Sequence, residues 1–224
     1  MSTQSKQQSN PFSTGGGGIS FEEHVQAAFG VLMMTGGVAP CLPAWPIKKI
    51  KLQGKYAGFE TDDLIVFVGE PNGDREARLL AQIKHSVKIT SGDKTFGEVI
   101  QAAWNDFRNP GVFTPERDAI AVITGPLSAT EINDTRRILE WARDSENAGD
   151  FVTKVDMLNF SNPQKRAKLK AFRLHLKNAN ARTDISDEDL WRFMRSFHIL
   201  GYDLDIKAGV ILSLVHSLVS QYSK

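Results

Sequence analysis

A few polar side chains stand where apolar stretches of this sequence begin and end, placed so that they could share one task. Asp62 and Asp63 open the run Leu64-Ile65-Val66-Phe67-Val68, and Gln82 and Lys84 close a second apolar run that starts at Leu79. Two such runs, joined by a loop containing Pro71-Asn72-Gly73-Asp74, read as paired strands of a sheet. Side chains two positions apart on a strand share a face, so Gln82 and Lys84 point one way while Ala81 and Ile83 point the other. By the same alternation only one of Asp62 and Asp63 faces Gln82 and Lys84, and the strand register decides which.

A carboxylate beside an amide and an ammonium can hold a divalent cation and a water. Mg2+ takes hard oxygen ligands. Asp62 or Asp63, the side-chain oxygen of Gln82 and the backbone carbonyl of Ile83 would supply them, with Glu22 or Glu23 reaching in through water. Such a cation polarises a phosphodiester and helps to generate hydroxide, while Lys84 steadies the attacking water or the developing negative charge. The plainer reading is a strand-capping Asp with Gln82 and Lys84 on a solvent-facing edge. Against it stands the embedding: an unpaired ammonium in an otherwise apolar strand is expensive.

The elements that must position these groups are legible in the hydrophobic pattern. Residues 1–18 are rich in Ser, Gln and Gly and are expected to form a disordered tail. Ser20 and Glu23 form a capping box for a helix from about Phe21 to Met34, with Phe21, Val25, Ala28, Phe29 and Leu32 on its buried face. Ile47 to Leu52 alternates as a strand whose wet face carries Lys48, Lys49 and Lys51, where DNA contact is possible. Beyond the second run, Ser86 and Lys88 could also meet a phosphate. A helix is expected from Lys94 to Asn109, with Trp104 as a core residue, followed by an apolar strand over Ala119 to Ile123. Ser128 and Glu131 begin another helix that runs to about Glu146. Helix, strands, helix, strand and helix in this order give an α/β sandwich around a mixed sheet. From Pro163 the chain becomes helical: a basic helix holding Lys165 to Lys177, a helix capped by Ser186, and an apolar helix from Ile206 to Tyr222.

The totals exclude some classes. A formal charge of +1 over 224 residues rules out a uniformly basic nucleic-acid coat, so phosphate contacts must be local. Cys41 is the single cysteine, which leaves no internal disulfide and no cysteine-rich zinc site, and suits a reducing cytoplasm. Neither a membrane span nor a secretion signal is evident. His24, His85, His175, His198 and His216 show no paired metal spacing and are assigned no catalytic role.

Phe21-Glu22 opening the first helix, Thr61-Asp62-Asp63 at a strand start and Gln82-Ile83-Lys84 together resemble the PD-(D/E)xK restriction-endonuclease superfamily, in particular its Mrr-like branch, in which glutamine replaces the second acid. AQIKHS, then FGEVIQAAWNDF and later LWRFMRSFHILGYDLD, is similar to the double-stranded DNA endonuclease domains of bacterial antiphage systems. These occur as effectors associated with CD-NTase signalling and as N-terminal domains of Avs-type STAND NTPases. The resemblance runs from about Ile19 onward. It implies a restriction-endonuclease-like mixed sheet flanked by helices over residues 19–160, and a helical extension or connector over 161–224 that leads to a downstream sensor or ATPase region. Glu22 matches the helix-one acid, Asp62 most closely matches the metal-binding aspartate with Asp63 as the alternate, Gln82 matches the second metal-site position, and Lys84 the catalytic lysine. The missing second carboxylate makes the site less anionic, so metal binding is expected to lean on the phosphate of bound DNA. The implied activity is Mg2+-dependent cutting of duplex DNA with little sequence preference, Mn2+ being able to substitute, in a cytoplasmic protein that is a homo-oligomer when active. A noncatalytic module clasping DNA or a protein, and a nuclease acting on RNA, are the alternatives.

Overall fold

Strands that are apolar along their whole length need a covering layer on each face, and this chain supplies both. The computed structural model describes residues 16–204 and 209–222. Among them five strands form one open mixed sheet: β1 (Ile47–Leu52), β2 (Leu64–Gly69), β3 (Glu76–Ile83), β4 (Ala119–Thr124) and β5 (Phe197–Gly201), side by side in that order. β1, β2 and β3 pair antiparallel, whereas β3, β4 and β5 run parallel. Seven α-helices surround the sheet among the described residues: α1 (Gly16–Met34), α2 (Lys94–Phe107), α3 (Arg137–Asp144), α4 (Ala148–Asp156), α5 (Pro163–Ala179), α6 (Asp187–Ser196) and α7 (Val210–Tyr222).

Alternation along the strands sorts the core into two layers. Leu64, Val66, Leu79, Ala81, Ala121 and Ile123 face α1, where they meet Phe21, Val25 and Phe29. Ile65, Leu80, Ile120 and Val122 face the other way, toward Phe96, Trp104, Phe172 and Phe193 of α2, α5 and α6. Trp104 is a core residue, 3% exposed and stacked on Phe107, as its place on the apolar stripe of α2 requires.

Several boundaries depart from the sequence reading. α1 begins at Gly16, so Ser20 lies inside the helix and does not cap it. Once the packed stretch has nucleated, a helix extends even through residues of poor propensity. Of the expected tail, residues 1–15 lie outside the described residues, as do the first residues of the helix expected from Ile206. Between Ser128 and Glu146 the chain forms a π-helical turn (Glu131–Arg136) and then α3, with the Ser128 hydroxyl accepting the Glu131 N–H at 3.2 Å. α4 and β5 carry no prior expectation. Residues beyond 160, expected as an extension, share the main core: Leu169, Phe172 and Leu176 of α5 are buried in it and β5 pairs with β4. Part of the basic character of α5 is spent inside the chain, since Lys165 pairs with Asp134 at 2.9 Å and Lys168 bonds Glu131 and the Ile89 carbonyl, while Lys177 pairs with Asp184 at the surface.

Candidate active site

β2 starts at Leu64, and Leu64 pairs with Ala81. That register carries Asp63, the residue just before the ladder, to the end of β3 where Gln82, Ile83 and Lys84 stand. The Asp63 oxygen Oδ2 accepts the Gln82 side-chain amide at 2.8 Å, the Ile83 backbone N–H at 2.7 Å and the Lys84 ammonium at 3.3 Å. Among the described residues no group donates to its Oδ1. The N–H and C=O of one strand residue point to the same side of the strand, so the Ile83 carbonyl shares the edge that meets Asp63. Lys84 is held by its own N–H bonding the Ile123 carbonyl at 2.9 Å. The group therefore sits at the carboxyl ends of the parallel strands, where open α/β sheets place their ligands.

Asp62 makes no hydrogen bond to Gln82, Ile83 or Lys84 among the described residues, yet it stands near them. It lines a cleft of about 680 Å³ together with Gln82, Lys84 and polar groups of α2 and α5, with Lys55 and Lys94 among its walls. His175, on α5, lines the same cleft and bonds the Thr90 carbonyl through Nε2 at 2.9 Å.

Glu22 comes from α1, the helix covering the opposite face, and joins the group around the sheet end. Burial is the largest cause raising its carboxyl above the ordinary value, the negative charge of Asp63 adds to it, and Lys84 works the other way. Gln26, one turn further along α1, ties the two layers together: its amide donates to Glu22 Oε1 at 2.9 Å and to the Asp63 backbone carbonyl at 3.2 Å. Glu23 is exposed.

Two positioning residues escaped the sequence reading. Gln26 is one; its signal is the four-residue spacing from Glu22, which puts both on one helix face. The other is Asp106, 1% exposed on α2, whose carboxylate accepts the backbone N–H groups of Glu60 at 2.9 Å and Thr61 at 2.7 Å. It pins the loop that delivers Asp62 and Asp63, a loop whose sharp entry uses Gly58 at a φ of 86°. Burial raises the Asp106 carboxyl, and these two N–H bonds oppose it.

Lys48, Lys49 and Lys51 are on β1, outside the cleft walls. Lys49 and Lys51 lie over the Phe67 and Phe59 rings at 5.2 and 5.9 Å. Ser86 and Lys88 are exposed beyond β3.

Among the described residues no three His, Cys, Asp or Glu side chains gather closely enough to hold a metal ion by themselves. The oxygens at the sheet end still fit a hard cation in kind: the Asp63 carboxylate, the Gln82 amide oxygen and the Ile83 carbonyl, with Glu22 behind. Compared with protein-family models, curated proteins and solved structures, the chain finds no match.

Proposed function

We propose that this chain is a Mg2+-dependent endonuclease of restriction-endonuclease-like fold that hydrolyses double-stranded DNA with low sequence specificity. The observation that carries the reading is the meeting of Asp63, Gln82, Ile83 and Lys84 at one end of the sheet. Asp63, the Gln82 oxygen and the Ile83 carbonyl would hold Mg2+, or Mn2+ in its place, with Glu22 through water. When bound, such an ion polarises the scissile phosphate and acidifies a water. Asp63 orients the Lys84 ammonium, and Lys84 donates to the attacking water or to the phosphoryl oxygen on which charge develops. Lys55 and Lys94, on the cleft beside Lys84, are suited to the DNA backbone, which carries no sequence information.

Such an activity must be restrained in its host. The role that suits it is effector of a bacterial antiphage defence protein, in the cytoplasm, working as a homo-oligomer assembled by a downstream sensor or STAND NTPase region. Among the described residues no helix is long and apolar enough to cross a membrane.

One observation favours a second reading, a noncatalytic binding module. Asp63 Oδ2 is saturated by three donors of the chain itself, which is what a purely structural clasp would look like. Metal-dependent cleavage separates the two: the nuclease cuts plasmid DNA with Mg2+ and loses this with Lys84→Ala, whereas the module binds DNA and never cuts.

A further inference from the structure

At the opposite end of the parallel strands, where β4 and β5 begin, lies a second cavity of about 670 Å³. Arg143 at the end of α3 and Arg192 and Arg195 on α6 line it, together with His198 of β5 and Cys41, both within reach of the Arg143 charge. Arg195 is held in place by stacking, 4.7 Å from the Trp191 ring, and Trp191 is itself fixed by donating to the Ala142 carbonyl at 2.8 Å. Arg143 uses one guanidinium nitrogen on the Phe197 carbonyl at 3.2 Å.

None of these three guanidiniums has a carboxylate within ion-pair distance among the described residues. Asp118, which also lines the cavity, is consumed by Arg117 at 3.0 Å and by the backbone N–H groups of Arg78 and Thr114. Glu116 and Glu188, which also line it, make no ion pair among the described residues. Nor can Cys41 or His198 supply a negative charge. Burial pushes the Cys41 thiol up to about 11, and burial first, then Arg143, push the His198 imidazole down to about 3, so both are neutral at physiological pH. Burial also lowers the Arg143 guanidinium below its ordinary value. The charges of Glu140 and Asp144 offset that burial only in part; a desolvated cation so incompletely compensated is costly, and a bound anion removes that cost.

We propose that this cavity is a binding site for a phosphate-bearing anion, gripped by Arg143, Arg192 and Arg195. Several guanidiniums suit a multiply charged phosphate group better than a single carboxylate, because each fork can donate two parallel bonds to its oxygens. The volume admits anything from pyrophosphate to a nucleotide. The site is independent of the nuclease reading, since Lys84 lies at the other end of the strands.

The phosphate could belong to a free small molecule or to the backbone of a nucleic acid, and titration calorimetry on the full chain at low salt, without divalent cations, distinguishes them. One arm uses pyrophosphate and the other a short DNA duplex, each with the native chain, Arg143→Gln, Arg192→Gln and Lys84→Ala. Arg192 is exposed, so its variant folds even if Arg143→Gln does not. The expected result is saturable binding of pyrophosphate that weakens at least about tenfold in Arg192→Gln and is unchanged in Lys84→Ala. The same loss in the duplex arm alone supports the site and assigns the phosphate to nucleic acid. Equal affinity of native chain and Arg192→Gln in both arms, or a loss seen only in Lys84→Ala, overturns it.

Discussion

Asp63 and Lys84 form an ion pair at 3.3 Å across the ends of β2 and β3. Their side chains keep 16% and 32% of their exposure, so the pair contributes at most about 1 kcal/mol to folding. Its consequence is positional: it sets an ammonium beside a carboxylate whose other oxygen has no donor among the described residues.

Asp106 bonds the loop before the acids but touches neither Gln82 nor Lys84 in any hydrogen bond. Asp106→Ala leaves two backbone N–H groups without their acceptor and is expected to cost about 1–3 kcal/mol in chemical denaturation. Cleavage should fall as well, because Asp63 loses its fixed approach. Unchanged stability would show that the loop holds itself.

Gln26 spans Glu22 and the Asp63 carbonyl. Gln26→Leu should change stability by no more than about 1 kcal/mol, the net worth of such bonds, while lowering cleavage more than stability. Gln26→Glu should lower it further, since it adds a negative charge beside a carboxyl already raised by burial and by Asp63. Cleavage rates normalised to folded protein check both.

Lys55 and Lys94 share the cleft with Lys84. Replacing either with Gln should reduce the salt slope of duplex binding by roughly 0.9, the worth of one phosphate contact. Lys49→Gln and Lys51→Gln should leave the slope nearly unaltered, because those chains lie over Phe67 and Phe59. Fluorescence anisotropy without metal, at several salt concentrations, measures the four slopes.

His198 carries a pH dependence whose sign is fixed. Its imidazole is lowered from an ordinary 6.5 to about 3 in the folded chain, so the unfolded chain binds a proton that the folded one refuses. Stability from this group is complete above 6.5 and is lost progressively as pH falls toward 3. Thermal melting of His198→Asn should show a shallower acid loss across that window than the native chain, and an identical slope would contradict the assignment.

The apolar runs made the strand pair and the common face of Gln82 and Lys84 readable, because a period of two needs no tertiary information. The choice between Asp62 and Asp63 did not follow from it. The family resemblance favoured Asp62, but the Leu64 to Ala81 register carries Asp63 to Gln82 and leaves Asp62 on the cleft wall. Register is a property of two strands, not of one. Asp106 was invisible because it interrupts an apolar helical stripe as any surface acid would, and only the chain returning at Glu60 and Thr61 makes it buried. β5 was hidden because Phe197 continues the spacing of Trp191, Phe193 and Met194, so the helix and the strand after it share one apolar rhythm.

Plasmid cleavage with Mg2+ at high protein concentration, comparing the native chain with Asp63→Ala, Lys84→Ala and Asp62→Ala, tests the nuclease assignment most directly. The expected result is cutting by the native chain, loss of about a hundredfold or more in Asp63→Ala and Lys84→Ala, and a smaller loss in Asp62→Ala. Undiminished cutting in both Asp63→Ala and Lys84→Ala would contradict it.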